Sequence, residues 1–384
     1  MTAPAIRVLS LGAGVQSTAL ALLSAEGRLP KLDHAIFADT GWEPPAVYAQ
    51  FERIAVELRG AGTVVHRVST GNLRDDSINP AHRYASIPYY VLGPAGSCER
   101  CEGVGQLPVE EDRVTAEWWP AWRQCPDCKG DGRSRGLGRR QCTSEYKLAP
   151  IGRKVRELLG AAAPDFRRVP KGRVAEQWIG FSADELHRIS DKNGVSYSRK
   201  RYPLLELDGV GGRTGWDRAD CQRYLAGRGY GATVKSACVG CPFHGNRQWR
   251  DMRDMCDCGH RRKHHYDRFG NLPSEESEGM GRCALCGCDE FAASGWDDAV
   301  AFDEAIRKGG ARGLPLDGEA FLHASRIPLA SAPIDRVTAK EWAGAQGDVF
   351  DTLEDGEPDG CSPYGCRSGA SVDGSVTPVE AAVA

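Results

Sequence analysis

Four familiar patterns are missing from this 384-residue chain, and each absence argues against a class of protein. No stretch approaches the roughly 18 consecutive apolar residues of a transmembrane helix, so we expect no membrane span and no membrane partner. The first residues, MTAPAIRVLSLGAG, lack the charged and apolar regions of a secretory signal, which predicts a cytoplasmic protein. Neither the Walker pattern G-x-x-x-x-G-K-[S/T] nor the dinucleotide pattern G-x-G-x-x-G occurs, which excludes a Walker loop and disfavours a dinucleotide-binding fold.

Cysteine, in contrast, is abundant. The chain holds 15 cysteines, and most of them stand in pairs or triplets a few residues apart. In a reducing compartment such clusters indicate metal or redox chemistry rather than disulfides. We therefore expect several metal-binding segments.

The first 70 residues alternate between strand-like and helix-like patterns. The apolar run IRVLSLG predicts a buried strand, QSTALALLSAEG a helix, and HAIFADTG and TVVHRVST two further strands. A second helix is predicted to open at Pro44-Pro45 and to close at Gly60. This alternation predicts an α/β fold with a doubly wound parallel sheet, whose ligand binds at the carboxyl ends of the strands.

The segment SLGAGVQST (residues 10–18) joins the first predicted strand to the first predicted helix. Free N–H groups and the positive end of the helix dipole make such a junction suitable for an anion. We expect Gly12 and Gly14 to adopt positive φ and to admit the anion, and Ser17 and Thr18 to cap the helix. An ordinary tight turn would also account for the glycines.

Six segments together carry a family resemblance. The loop SLGAGVQST is similar to the PP-loop, S-G-G-x-D-S in its common form, with Gln16 where the common form has aspartate. The other segments are FADTGWE (37–43), RRQCTSEYKLAPI (139–151), IGFSADELHRIS (179–190), KSACVGCPFHGNRQWRDMRD (235–254) and FLHASRIPL (321–329). The chain resembles a phosphoadenosine phosphosulfate (PAPS) reductase-like group of PP-loop proteins from bacteria and their phages, within the adenine nucleotide α-hydrolase and ATP pyrophosphatase superfamily.

The resemblance implies a HUP-like fold that binds an adenine nucleotide, ATP or PAPS, with Mg²⁺. The residues that it implies for nucleotide binding are Ser10, Gly12, Gly14, Gln16, Ser17, Thr18, Asp39, Thr40, Arg140 and Gly180. The catalytic residues that it implies are Ser17, Asp39 and Lys147. Because Gln16 removes a charge from the loop, the resemblance leaves open whether the nucleotide is cleaved or only held.

Cys142, Cys238 and Cys241 offer three thiolates. Three are too few for a closed tetrahedral zinc site, but they suit a [4Fe–4S] cluster that keeps one iron open. A zinc site and cysteines that only pack in the interior are the alternatives. The residues that would complete the set are His244 for zinc and Cys361 or Cys366 for a cluster.

Two repeats of C-x-x-C-x-G-x-G follow one another, CERCEGVG (98–105) and CPDCKGDG (125–132). Each resembles a zinc knuckle of the DnaJ chaperones. Four thiolates complete a tetrahedral structural site, so we expect one Zn²⁺ on Cys98, Cys101, Cys125 and Cys128. An insertion this small lacks a core of its own, and metal binding would supply much of its stability.

A second segment, 256–294, is rich in both cysteine and histidine. Its potential metal ligands are Cys256, Cys258, His260, His264, His265, Cys283, Cys286 and Cys288. These are more ligands than one zinc ion needs. We expect one Zn²⁺ on Cys258, His265, Cys283 and Cys286, while a second zinc or another choice of ligands stays open.

These patterns divide the chain into four parts. The parts are a nucleotide-binding α/β domain (1–96, 136–255 and 295–349), a four-cysteine zinc insertion (97–135), a cysteine- and histidine-containing zinc insertion (256–294) and an acidic, partly disordered tail (350–384).

The resemblance implies an enzyme that adenylates an acceptor, releases pyrophosphate and transfers sulfur from a donor. The excess of basic residues between 133 and 201 suits a nucleic-acid acceptor, although a solvated surface explains it equally. One alternative is a PAPS or APS reductase. The other is a zinc-containing protein that binds a nucleotide or a nucleic acid without catalysis. A cytoplasmic location in a bacterium or a phage-infected host fits each of them.

Overall fold

The structure is a computed structural model of the whole chain. The residues that it describes are 4–79, 81–82, 87–108, 122–138, 140–189, 195–231, 233, 235–257, 260–266, 281–290, 292–293, 295–307, 318–338 and 341. The predictions for Cys258, Cys361, Cys366 and the tail 350–384 lie outside the described residues.

Ten strands and seven α-helices make up the described structure. The strands are β1 (Ile6–Leu11), β2 (His34–Ala38), β3 (Val64–Val68), β4 (Tyr90–Leu92), β5 (Gln106–Pro108), β6 (Trp122–Gln124), β7 (Arg135–Leu137), β8 (Ala175–Trp178), β9 (Ser198–Arg201) and β10 (Glu319–Phe321). The helices are α1 (Val15–Ala25), α2 (Pro45–Gly60), α3 (Leu73–Ile78), α4 (Ala149–Leu158), α5 (Arg218–Gly227), α6 (Asn246–Asp254) and α7 (Trp296–Arg307). Short 3₁₀ helices span Glu99–Cys101, Ala183–Arg188, Pro203–Glu206, Val210–Gly212, Arg262–His264 and Leu329–Ser331, and a π-helix spans Thr143–Leu148.

The largest sheet has five strands in the order β3-β2-β1-β8-β9, and every neighbouring pair is parallel. Leu9 in the middle of β1 pairs with Ala35 on one side and with Trp178 on the other. The chain order reverses between β1 and β8, which in a doubly wound sheet opens a crevice at the carboxyl ends of these two strands. The predicted α/β class with a parallel sheet is confirmed.

Helices cover both faces of this sheet. Leu9 and Phe37 point to the face covered by α1, α2 and α5, where they join the largest group of buried apolar side chains. Val8 and Ile36, one residue away on the same strands, point to the opposite face and pack against Ile151 of α4. Successive side chains of a strand alternate between faces, so both faces of these central strands are apolar, as expected for a buried parallel sheet.

A smaller antiparallel sheet, β10-β4-β7, lies beside α7. The buried carboxylate of Asp303 on α7 accepts hydrogen bonds from the backbone N–H groups of Leu322 at 2.8 Å and Leu329 at 2.9 Å. It also pairs with Arg307, one helical turn away. Asp303 therefore anchors the segment FLHASRIPL to the helix that precedes it.

The α-helices α2 and α4 each have a proline in the first turn. The helix predicted to close at Gly60 begins at Pro45 and ends at Gly60. The π-helix Thr143–Leu148 leads directly into α4, which has Pro150 in its first turn. Proline has no N–H group and fits only the first turn of an α-helix. Within the described residues, no helix is long and apolar enough to cross a membrane.

Candidate nucleotide and metal sites

A cleft lies at the carboxyl ends of β1 and β8, where the strand order reverses. It has about 580 Å³ of empty space, including the part that opens to solvent. The residues that line it are Ser10, Gly12, Gly14, Val15, Gln16, Ser17, Ile179, Gly180, Glu185, Arg188, Arg218, Lys235 and Ser236. Five of the expected nucleotide-binding residues from the loop, together with Gly180, therefore line one cleft. Thr18 is fully buried beneath it.

The backbone of the loop differs from the expectation at its glycines. The residue with positive φ is Ala13, at 55°, and Ala13 is fully buried. Gly14 has an extended backbone, with φ of −89°, and Gly12 has no positive φ either, so the prediction of positive φ was wrong for both glycines. A Cβ atom on Gly14 would lie 3.5 Å from the backbone N of Ser236, an ordinary van der Waals contact, so space alone does not require glycine there.

The first turn of α1 is arranged differently from the predicted cap. Gly14 is the N-cap residue, so the cap has no side chain. The hydroxyls of Ser17 and Thr18 do not cap the helix as predicted. They donate to the carbonyl oxygen of Gly14 at 3.2 and 2.7 Å, while Ser17 Oγ accepts the N–H of Gly12 at 3.2 Å. The positive end of α1 therefore faces the cleft without a carboxylate in its first turn.

Gly180 brings β8 against α1. A Cβ atom at this position would lie 3.0 Å from the backbone N of Ser17 and 3.2 Å from Gln16 Cβ. Only glycine allows this approach without a shift of either element. Gly180 thus sets the width of the cleft between the loop and the end of β8.

Gln16 is held by the far wall of the cleft. Its amide Nε2 donates to Ser182 Oγ at 3.3 Å and to Glu185 Oε2 at 3.3 Å. Glu185 also pairs with Arg188, whose guanidinium lies 4.8 Å from the centre of the Phe181 ring. The residue that departs from the common PP-loop form is therefore part of an ordered hydrogen-bond chain.

Asp39 lies outside the cleft lining, at the end of β2. Its Oδ2 accepts from Arg67 at 2.7 and 2.9 Å, and its Oδ1 accepts from Tyr48 and from the Gly41 N–H, both at 2.8 Å. Burial alone would raise the pKa of Asp39, but these hydrogen bonds and the charge of Arg67 hold it below its usual value. The geometry shows Asp39 fixing the chain after β2.

A buried polar cluster connects the loop with the cysteines. Lys147 Nζ lies 3.3 Å from Glu43 Oε1, and both side chains are almost fully buried. The same carboxylate oxygen lies 3.3 Å from the hydroxyl of Thr40 and accepts from the Cys238 thiol at 3.6 Å. One small cavity is lined by Glu43, Lys147, Gly12 and Ser236, so this cluster adjoins the loop 10–18. Sequence reasoning missed Glu43, although it lies within the quoted segment FADTGWE.

Several residues of the cleft were also missed, among them Arg218, Lys235 and Ser236. Lys235 and Ser236 lie in a segment in which only the cysteines were predicted to be functional. Arg218 lies in none of the quoted sequence motifs. The structure brings all three to the loop. Arg140, which was expected at the nucleotide, is instead near the cysteines, with its guanidinium 4.7 Å from the Phe243 ring centre.

Cys142, Cys238 and Cys241 line one cavity of about 280 Å³. The other residues around it are Trp42, Leu73, Ile87, Pro88, Arg140, Gly240 and Pro242. A Cβ atom on Gly240 would lie 1.9 Å from the Trp42 ring, so the turn between the paired cysteines requires glycine. The three distant cysteines are therefore brought together, as the sequence predicted. His244 turns its Nε2 to the Cys238 carbonyl oxygen, 2.9 Å away.

The four cysteines of the first insertion form a compact buried set. Their sulfur atoms lie within 4.8 Å of one another, with 3.9 Å between Cys98 and Cys125 and 3.6 Å between Cys101 and Cys128. Two thiolates on one tetrahedral Zn²⁺, each about 2.3 Å from the ion, lie roughly 3.8 Å apart. This set can hold a metal ion such as zinc.

Glycine shapes both knuckles in the same way. Gly103, Gly105, Gly130 and Gly132 all have positive φ, and a Cβ atom on Gly105 would lie 2.3 Å from the Gly130 carbonyl oxygen. Burial opposes a charge on Cys128, but hydrogen bonds from the backbone of Gly130 and Gly132 lower the pKa of this thiol to about 7. The turns therefore favour the thiolate of Cys128, which is the form that binds metal, whereas burial and the neighbouring thiols raise the pKa of Cys98.

The second insertion groups its ligands differently from the prediction. Among its described residues, the first set is Cys256, His265 and Cys288, and the second set is His260, Cys283 and Cys286. The ligand atoms of each set lie within 4.8 Å of one another. The expected site of Cys258, His265, Cys283 and Cys286 was wrong as a set, because the backbone carries His265 to Cys256 and Cys288 instead.

Comparison with known proteins adds no family to these observations. A scan against protein-family models, a search of curated proteins and a search of solved structures found no match to this chain.

Proposed function

We propose that this protein is a PP-loop enzyme that adenylates an acceptor with ATP, releases pyrophosphate and uses the activated acceptor for sulfur transfer. The observation that carries the proposal is the position of the loop 10–18 at the strand-order reversal, with the cysteine cavity next to it. A HUP-like nucleotide fold agrees with the five-stranded order of the parallel sheet.

The cleft suits the phosphates of a nucleotide. The N-terminus of α1 supplies N–H groups and the positive end of the dipole. Arg218 and Lys235 add positive charge along the wall, and Ser17 adds a hydroxyl. Arginine and lysine are the residues that neutralise phosphate oxygens in proteins.

The first chemical step is an attack on the α-phosphorus of ATP. An oxygen of the acceptor forms the new P–O bond, the bond to the β-phosphate breaks, and pyrophosphate leaves with the electron pair. Charge that develops on the transferring phosphate is stabilised by the loop and by its basic neighbours. Mg²⁺, if bound together with the nucleotide, would supply further neutralisation of this charge. In the second step a sulfide-level donor displaces AMP, so sulfur replaces oxygen without a change of oxidation state.

The cysteine cavity suits a cluster better than a single zinc ion. Among the described residues, Cys142, Cys238 and Cys241 do not form a set with all sulfurs within 4.8 Å, as the four knuckle cysteines do. Thiolates on separate irons are farther apart than thiolates on one zinc ion, so this arrangement is compatible with a [4Fe–4S] group as well as with cysteines that only pack. When bound there, such a group would offer an open iron for sulfide. The buried ion pair of Lys147 and Glu43 lies between this cavity and the loop 10–18.

The test measures nucleotide binding and pyrophosphate release by the full-length protein, purified without oxygen. Lys235→Glu reverses a charge in the cleft, and we expect it to weaken ATP binding by at least tenfold. Lys171→Glu makes the same change at an exposed lysine outside the cleft lining and should leave binding unchanged. Release of pyrophosphate in the presence of tRNA or DNA supports adenylation.

Other outcomes of these assays would support a different function. Sulfite release from PAPS with thioredoxin would identify a reductase instead. Nucleic-acid binding without turnover, and unaffected by Lys235→Glu, would indicate a binding protein. A colourless protein that contains zinc but no iron would contradict the cluster and leave the nucleotide chemistry to be decided by the first assay.

A further inference from the structure

The second Cys/His-rich segment, 256–294, contains two separate groups of three potential metal ligands. Its first set is Cys256, His265 and Cys288, and its second set is His260, Cys283 and Cys286. Each set offers two thiolates and one imidazole, which are three of the four ligands of a tetrahedral zinc site, so each ion would take its fourth ligand from outside the set.

We propose that this segment binds two metal ions of the zinc class, one on each set. In chain order the ligands belong to the first, second, first, second, second and first set, so the two sets are interleaved. Each ion would close loops that contain ligands of the other. The two ions would therefore fold the segment as one unit.

In the part of this segment that the structure describes, the buried residues are all potential metal ligands. Among the described residues between 256 and 293, the buried side chains are Cys256, His265 and Cys283. No residue of this range belongs to an apolar cluster within the described part of the chain. A segment without an apolar core needs another source of folding free energy, and metal ions supply it in small domains.

The first set is prepared for a metal by the groups around it. His265 is fully buried, and its Nδ1 lies 2.8 Å from the Gly281 carbonyl oxygen. That hydrogen bond fixes the ring and leaves Nε2 for the metal, as is usual for metal-bound histidine. The backbone N–H of Ala292 donates to Cys256 Sγ at 3.4 Å, which fixes the position of this sulfur.

The second set has the spacing of two ligands on one ion. His260 Nδ1 lies 3.5 Å from Cys283 Sγ. With a nitrogen at about 2.0–2.1 Å and a sulfur at about 2.3 Å from a tetrahedral Zn²⁺, the two atoms lie roughly 3.6 Å apart. Cys286 is exposed, so this ion is the one closer to solvent.

Two thiolates neutralise each divalent ion. A neutral site avoids the cost of burying a net charge. A single ion would leave three ligands of the other set close together, with two thiols or thiolates and one imidazole in contact. With two ions, the ligands of each set would bind a metal ion of their own.

The test counts metal ions by elemental analysis and native mass spectrometry of the full-length protein. Cys288→Ser and Cys286→Ser each remove one ligand, from the first and the second set. We expect the metal content to fall by one ion per chain in each variant and by two in the double variant. Asp289→Asn, an exposed change between the ligands, should keep the wild-type count.

A loss of one ion in each single variant and of two ions in the double variant supports the proposal. A double variant that loses only one ion, or variants that lose none, would overturn it. Circular dichroism of each variant confirms that the parallel-sheet domain remains folded. Because the count compares variants with the wild type, metal at Cys142, Cys238 and Cys241 does not affect the result.

Discussion

Lys147 Nζ and Glu43 Oε1 form a buried ion pair, 3.3 Å apart, between the loop 10–18 and the cysteine cavity. Removing one partner of such a pair leaves an uncompensated charge, which costs about 3–5 kcal/mol. We therefore expect Lys147→Met to lower the free energy of unfolding by about that amount. Urea denaturation measures the change.

The double variant Lys147→Met/Glu43→Leu is the control for this prediction. It removes both charges and replaces them with apolar side chains. We expect it to be more stable than the single variant, because a buried pair replaced by apolar groups is close to neutral. Equal loss of stability in both variants would show that the charges do not interact.

Gly180 holds the end of β8 against the loop. In Gly180→Ala the new methyl group would lie 3.0 Å from the backbone N of Ser17, so the loop must move. We expect ATP binding to weaken by at least tenfold, with little change in the far-ultraviolet circular dichroism. Titration of the protein with a fluorescent ATP analogue measures the affinity.

Gly227→Ala is the matched control, because a Cβ atom at this helical position meets nothing within 4 Å. Alanine is the better helix former, by about 1 kcal/mol at most. Nucleotide affinity should not change in this variant. Equal affinities of the two variants would remove Gly180 from the binding site.

The sequence was sufficient for features that depend on local pattern. The strand-helix alternation predicted the parallel sheet, and Pro45 and Gly60 marked the ends of α2, because periodicity and capping are local. The C-x-x-C repeats predicted a four-cysteine set for the same reason. The spacing of ligands within a motif is enough to define such a site.

Features that depend on tertiary packing were not predictable in this way. Gln16 meets Glu185 across 169 positions of sequence, and Arg218 reaches the cleft without any motif. The sequence offers many potential metal ligands in 256–294, but it does not show which of them share one ion, since many groupings satisfy the same spacing. The positive φ of Ala13 was also missed, because glycine is the usual residue there.

The four-cysteine set should be needed for the stability of the first insertion. Cys125 is fully buried among the other sulfurs. We expect Cys125→Ser to lose one Zn²⁺ per chain and to expose the insertion to proteases, because metal binding supplies about 10–16 kcal/mol in small zinc modules. Elemental analysis and limited proteolysis with mass spectrometry locate the effect.

Asp127→Asn is the comparison for Cys125→Ser. Asp127 pairs with Arg100 at 2.9 Å on the surface of the same insertion, where such pairs contribute little. The zinc content and the protease pattern should match the wild type. Retention of zinc in Cys125→Ser would show that these cysteines do not hold the ion.

Stability should also depend on pH through His323. This side chain is 6% exposed, and its nitrogens lie 2.7 Å from Ser325 Oγ and 3.0 Å from Asn246 Oδ1. Burial lowers the pKa of His323 below 6.5, although the charge of Asp303 partly opposes this shift. The unfolded chain therefore takes up a proton below about pH 6.5 that the folded chain excludes, and the stability contributed by neutral His323 is lost as the pH falls.

The expected slope is at most about 1.4 kcal/mol per pH unit for one proton. Urea denaturation of the wild type and of His323→Gln between pH 7.5 and about 5.5 isolates this contribution, because all other titrating groups, the metal ligands included, are common to both proteins. The wild type should lose stability more steeply than the variant as the pH falls. His187→Gln changes an exposed histidine and should keep the wild-type slope. Parallel curves for the wild type and His323→Gln would mean that His323 takes up its proton equally well in the folded state.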